Sequence, residues 1–237
     1  MNSSLGSHPT TVVLASKSPA RLTTLCNAGI EPIVRVSEVD EDALVTSFPS
    51  GPPEPVDLVC ALAEAKALDV AESLQKELTR TPPEEVLPSQ YLVIGCDSML
   101  EIGGKLVGKP GTPEVAKERI REMRGRDATL WTGHSLIPLT QMVEPSGTPL
   151  WILGNPLTKP AATVVHFGQI SDEEIDAYVQ TGEPLDVAGS FTIDGLGGPF
   201  IEGVTGDPHA VVGLSLPLMR KLVSQLNVGW PSLWTGE

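Results

Sequence analysis

Apolar residues recur along this chain in two rhythms, and the switches between them mark out its elements. Residues 11–15 are a short apolar run with the length of a buried strand. Ser18 then suits a helix N-cap, Pro19 the first helical position and Gly29 the residue just past the end. Residues 33–36 predict a second strand, followed by an acidic turn at Asp40-Glu41-Asp42. After a Pro/Gly stretch at 49–55 comes the longest helical pattern. There Val56, Val59/Cys60, Ala63, Ala67, Val70/Ala71, Leu74 and Leu78 repeat at three- and four-residue spacing. Pro82-Pro83 and Pro88 break the chain again.

Residues 91–96 form a continuous apolar run that predicts a central strand. Residues 99–102 and 105–107 flank Gly103-Gly104, a good two-residue hairpin turn. Thr112-Pro113 opens a helix with Val115/Ala116, Ile120 and Met123 on one face and a stop at Gly125. Residues 129–137 predict a strand. The five prolines of 138–160 predict a long irregular excursion, a surface loop or flap. Residues 162–167 return to strand character, and Ser171 with Glu174 forms a capping box for a helix ending near Gly182. Glycines are dense from 186 to 213, and a last amphipathic helix carries Leu218/Met219, Leu222/Val223 and Leu226. This order predicts an α/β (mixed α+β) fold with a mixed sheet. Residues 1–10 read as a flexible tail and 11–237 as one domain.

Composition narrows the class. Of 237 residues, 41% are hydrophobic and 19% charged, a balance that supports a packed core. The net charge of −14 and the absence of basic runs argue against a nucleic-acid polymer or an anionic membrane as partner. A small phosphorylated ligand needs only a few cations in one pocket. Cys26, Cys60 and Cys96 form no CxxC pair, so they read as reduced core thiols rather than a disulfide framework or zinc site. The first ten residues lack the apolar region of a signal peptide, and no apolar run approaches the ~20 residues of a membrane span. The expected location is the cytoplasm.

Several residues can carry chemistry. Ser16, Ser18 and Arg21 lie where a strand leads into a helix, and the free N–H groups there are a seat for an anion. Asp97 follows the apolar strand 91–96, where a carboxylate can bind a metal, orient a water or simply close an Asx-turn. Lys66 falls inside an apolar helical stripe, which demands a partner, a snorkelling stem or a phosphate. Gly103 to Lys109 has the GxxxxGK spacing, but Pro110 stands where a P-loop needs Ser or Thr. Lys109 is left as a phosphate contact on a Gly-Lys-Pro turn. The histidines at 8, 134, 166 and 209 have no metal-ligand spacing, and GxSxG is absent. Arg21, Lys66 and Lys109 are therefore three cations for one phosphate chain, with Glu41 and Asp97 as carboxylates for a divalent ion.

The order of these motifs resembles the Maf family of septum-formation-inhibitor-like nucleoside triphosphate pyrophosphatases, over about residues 11–226. Leu14-Ala15-Ser16-x-Ser18-Pro19 matches that family's Ser-x-Ser-Pro-Arg-Arg loop, and Val39-Asp40-Glu41 its acidic turn. Ala63-Glu64-Ala65-Lys66-Ala67 matches its helical lysine, Gly95-Cys96-Asp97-Ser98 its Gly-Ala-Asp-Thr, and Gly108-Lys109-Pro110 matches directly. The segment 178–213 looks like its long C-terminal block.

The resemblance implies two α/β lobes around an extended mixed sheet, with the active site in the cleft between them. It implies hydrolysis of a nucleoside triphosphate to monophosphate and pyrophosphate with a divalent cation (Mg²⁺, Mn²⁺ or Co²⁺), clearing noncanonical or surplus nucleotides, and it allows a homodimer. By the same resemblance Asp97 is the proton acceptor and a metal ligand, and Glu41 helps hold the metal. Ser16, Ser18, Arg21, Lys66 and Lys109 bind phosphates, and Ser98 and Asp194 select the base. Ala20 departs from the first paired arginine, Ser98 from Thr and Asp194 from Gln. A carboxylate accepts where an amide also donates, so base preference does not carry over. The missing arginine also admits a non-catalytic nucleotide-binding regulator of cell division as a rival reading.

Overall fold

The computed structural model describes residues 10–49, 53–80, 88–143, 145 and 149–235. Its frame is a mixed, open sheet of eight strands in the order β2-β1-β3-β5-β7-β8, with β4 paired to β3 and β6 to β5. In chain order the elements are β1 (Thr10–Leu14), α1 (Pro19–Asn27), β2 (Ile33–Val34), α2 (Glu41–Thr46), α3 (Pro55–Arg80) and β3 (Gln90–Ile102). Next come β4 (Lys105–Val107), α4 (Pro113–Met123), β5 (Asp127–Val143), β6 (Pro149–Leu153), β7 (Leu157–Phe167) and α5 (Asp172–Gln180). After these come β8 (Ile201–Thr205), α6 (Pro208–Val212) and α7 (Leu216–Gln225), followed by a 3₁₀ turn at Trp230–Leu233. Parallel pairing is confined to β1 with β2 and β3; the remaining pairs are antiparallel. Of the tail assigned to residues 1–10, only Thr10 is among the described residues, and it opens β1. Residues 50–52 of the Pro/Gly stretch and the Pro82-Pro83 break lie outside them.

Four expectations are corrected. The stretch 138–160 is not an irregular excursion, because β5 runs on to Val143, β6 pairs beside it and β7 starts at Leu157. Two of its prolines sit where a missing N–H does no harm. The Pro138 carbonyl accepts from Gly154 N at 2.8 Å, so the N of Pro138 faces the junction where β7 gives way to β6 and no ladder bond to β3 is lost. Pro149 is the first residue of its strand. The runs 91–96 and 99–102 are also one thirteen-residue strand, so Asp97 lies within β3 rather than at a strand end. The acidic turn is likewise the start of α2, with Asp40 as its N-cap.

Alternation along β3 sends Tyr91, Val93 and Gly95 to one face, where α3 packs, and Leu92, Ile94 and Cys96 to the other. The α3 face is built for close approach. A Cβ at Gly95 would lie 2.2 Å from the Ala63 carbonyl oxygen, and one at Gly133 would lie 2.0 Å from that of Val59. These two glycines on neighbouring strands seat the helix backbone directly on the sheet, which fixes the height and rotation of Lys66. On the opposite face the helices fall into two groups. Leu25 of α1 and Met219, Leu222 and Val223 of α7 pack on Leu92, Ile94 and Leu136. Ala116, Ile120 and Met123 of α4, with Ile175 and Val179 of α5, pack on Leu100, Ile102 and Leu130. Between the two cores runs the polar rung Ser98–Thr132. Only Cys96 is a core thiol; Cys26 is exposed and Cys60 half-buried, which corrects the reading of all three as core residues.

Candidate functional site

The site begins with a break in strand pairing. β1 accompanies β3 only as far as Ile94, and β4 joins the same side only from Leu100. Residues 95–99 of β3 therefore have no neighbouring strand on that side among the described residues, while β5 pairs the other side without interruption. Asp97 and Ser98 lie in this opening. The turn after β1 delivers Ser16 and Ser18 to one bank, and the chain leaving β4 delivers Gly108 and Lys109 toward the other. A ligand crevice at such a point, where neighbouring connections diverge, is the general rule for open α/β sheets.

Arg21 bridges the first bank to β3. Its Nε donates to the Gly213 carbonyl at 2.8 Å, Nη1 to Ser16 Oγ at 3.1 Å and to the Cys96 carbonyl at 2.9 Å, and Nη2 to Ser98 Oγ at 3.0 Å. The guanidinium thus takes the place of the missing strand neighbour at Cys96. Four of its five N–H groups are engaged by protein, leaving one for a ligand, so Arg21 is first of all a structural clasp. Ser98 Oγ also lies 3.0 Å from Thr132 Oγ1. Ser18 caps α1, accepting from Arg21 N at 3.4 Å, and its own N–H donates to Ser16 Oγ.

On the α3 face, Lys66 joins two carboxylates. Its Nζ is 2.7 Å from Asp97 Oδ1 and 2.8 Å from Glu41 Oε1. The Lys66 and Asp97 side chains are only 12% and 10% exposed, whereas Glu41 is 53% exposed, so the chain of charges runs from interior to surface. Asp97 Oδ2 is buried and has no hydrogen-bond partner among the described residues. Burial raises the Asp97 carboxyl above its ordinary range, and the charges of Lys66 and Arg21 offset part of that rise. The pairing answers the question posed by a lysine in an apolar stripe: Lys66 points at carboxylates, not along its own stem.

Lys109 and Asp194 are exposed, and neither forms a hydrogen bond or ion pair with these groups among the described residues. The structure instead shows what holds them. The Gly108 carbonyl accepts from Arg119 Nη1 at 2.6 Å and from Gly189 N at 3.2 Å, which anchors the Lys109 turn to α4 and to the glycine-rich segment. The loop carrying Asp194 is gathered on Glu183, a residue to which the sequence reading gave no role. Burial works to raise its carboxyl, and hydrogen bonds from Thr192, Leu196, Tyr178 and Gly197 carry it below the ordinary carboxylate range. His134 is a second overlooked residue. Fully buried, it accepts Ser215 N on Nε2 at 2.7 Å and so helps hold the start of α7. Burial, with the nearby Arg21 charge, depresses its pKa to about 4. An acceptor ring must be neutral, which agrees with that shift.

No helix among the described residues is long and apolar enough to cross a membrane, and no group of three or more His, Cys, Asp or Glu among them is arranged to hold a metal ion. The set Glu41 and Asp97 still suits a Mg²⁺-type ion, which takes one or two carboxylates and completes its shell with phosphate and water. The unpartnered Asp97 Oδ2 is the observation that fits such an ion.

A family profile described as Maf-like protein matches residues 11–226. The chain belongs to the Maf-like family. A relative from Mycobacterium sp. (strain JLS), named nucleoside triphosphate pyrophosphatase, is 47% identical over 95% of this chain and 99% of its own. Proteins of the same name from Rhodococcus opacus (strain B4) and Saccharopolyspora erythraea are 46% and 47% identical, over 95% and 94% of this chain and 96% of their own. Matches of this extent include the Ser16 loop, both carboxylates, Lys66 and the Glu183 loop within one Maf-like unit.

Proposed function

We propose that this Maf-like chain hydrolyses nucleoside triphosphates at the α–β phosphoanhydride, releasing monophosphate and pyrophosphate. The observation that carries the reading is the Glu41–Lys66–Asp97 chain, with one Asp97 oxygen left free beside an opening in the sheet. The names of the relatives support the same activity.

In this mechanism Asp97 Oδ2 takes a proton from the attacking water as the new P–O bond forms, the α–β bond breaks and pyrophosphate leaves. Lys66 holds Asp97 through Oδ1, orienting the free oxygen and keeping the carboxylate ionised despite its burial. Ser16, the first turn of α1 and Lys109 contact phosphate oxygens from the two banks, and Asp194 faces the base. Ser98, its hydroxyl held by Arg21, shapes the same wall. Glu41 and Asp97 would hold the divalent cation, which when bound neutralises phosphate charge. Positioning and charge stabilisation supply most of the rate in such transfers, so the rigidity given by Gly95, Gly133 and Arg21 is part of the chemistry.

A panel of common and modified nucleoside triphosphates, with Mg²⁺, Mn²⁺ or Co²⁺, tests the reading. Monophosphate plus pyrophosphate, dependent on added metal and abolished by chelator, is the expected result, and faster turnover of modified bases would support a clearing role. Diphosphate with orthophosphate would contradict it. Tight binding without turnover would favour the regulator reading, to which Ala20 and the engaged Arg21 donors lend some weight.

A further inference from the structure

Glu183 sits at the start of a single 3₁₀ turn, Glu183–Asp186, and its carboxylate collects four hydrogen bonds. Tyr178 Oη donates to Oε1 at 3.1 Å, Leu196 N to Oε2 at 3.1 Å, Gly197 N to Oε1 at 3.2 Å, and Thr192 Oγ1 donates to Oε1 as well. Three of these donors belong to the loop that carries Asp194. The loop's glycines are fitted to the same hub. A Cβ at Gly195 would lie 2.8 Å from Glu183 Oε2, and one at Gly197 would lie 2.6 Å from Tyr178 Oη. The segment also reaches the opposite way. The Leu185 carbonyl accepts Gly111 N at 3.4 Å, just after Lys109, and Gly189 N donates to the Gly108 carbonyl at 3.2 Å, just before it. Residues 183–189 therefore brace the lysine turn and the Asp194 loop together.

We propose that Glu183 is a positioning residue that fixes the Asp194 loop relative to the Lys109 turn and thereby sets discrimination among nucleobases. This rests on the reading that Lys109 and Asp194 meet the phosphate end and the base end of one nucleotide. The carboxylate is required because all four partners donate. A glutamine offers one accepting oxygen and turns an NH₂ toward backbone N–H groups, so at least one loop donor is left unpaired. The loop then loosens while Asp97, Lys66 and the Ser16 turn keep their places.

The test compares wild type with Glu183→Gln, reading selectivity twice: as kcat/KM ratios across the nucleotide panel, and as binding ratios for the corresponding monophosphates. The expected result is a fall of about tenfold in the ratio between best and worst base, with kcat for the best base changed less than about threefold. A folded Glu183→Gln with unchanged ratios would overturn the proposal. So would a uniform loss of kcat on every nucleotide, the mark of a merely structural role. Thr192→Val removes one donor and keeps the charge; it should show a smaller fall in selectivity, and if Glu183→Gln fails to fold, unchanged selectivity in Thr192→Val overturns the proposal. Should wild type turn over no nucleotide, the activity reading fails by itself, and the monophosphate binding ratios still decide the role of Glu183.

Discussion

At the scale of single residues, burial decides what each charge does. Lys66 and Asp97 form a nearly enclosed pair, and removing one partner of such a pair typically costs about 3–5 kcal/mol because the other charge is stranded. Lys66→Met should lower Tm by roughly 10 °C at pH 8 and abolish measurable turnover. The Tm gap should narrow toward pH 5, where a stranded Asp97 can take up a proton; calorimetric scans at both pH values check it, and a constant gap would speak against a buried charge. His134 gives the opposite kind of signal. Its folded pKa of about 4 lies below the ordinary value of 6.5, so the unfolded chain binds the proton more readily between the two. Its neutral form is stable in the fold above about pH 6.5, and stability is lost as pH falls toward 4, by roughly 3 kcal/mol in all. Urea titrations from pH 7 to 4 should show that loss, reduced in His134→Gln, which keeps an acceptor for Ser215 N.

At the scale of elements, the site exists because strands stop and helices sit close. β1 ends at Leu14 and β4 begins its pairing at Leu100, and the gap between them leaves Asp97, though buried, without a strand neighbour on that side. α3 reaches that gap only because Gly95 and Gly133 carry no side chain. Gly95→Ala places a methyl 2.2 Å from a helix carbonyl that cannot yield without moving α3. It should cost about 3 kcal/mol or more and displace Lys66, so kcat should fall further than the Tm alone suggests; a fully active Gly95→Ala would mean that helix height does not set the catalytic pair. Most elements were legible from periodicity and caps: the Ser18, Thr112 and Ser171 helix starts and the Gly103-Gly104 turn all stand as read. The stretch 138–160 was not, because proline density signals a loop unless one knows which side of the strand lacks a partner. β3 was split in two because a polar Asp97-Ser98 looks like a strand end when the glycine-seated helix above it is invisible.

Across the whole molecule, the division into three cores and one polar rung explains why some site residues were readable and others were not. Lys66, Glu41 and Asp97 announce themselves by being charged where the pattern calls for apolar or turn residues. The engagement of Arg21 depends on the Gly213 carbonyl, 192 residues away, and no local signal foretells it. Glu183 is hidden for a different reason: its partners are only 5 to 14 residues away, but three of them lie in a loop whose spacing shows only glycines. The acidic surface, at a net charge of −14, means that substrate is not drawn in by the molecule's overall field, and affinity must come from the few cations lining the opening. The account stands or falls on Asp97. The most direct measurement follows products of one turned-over nucleoside triphosphate by ³¹P NMR for wild type and Asp97→Asn, with monophosphate binding measured on both. Pyrophosphate release that falls by about 10³-fold in the variant, with binding kept within threefold, is the predicted result. Orthophosphate as the wild-type product, or a variant as active as wild type, would contradict it.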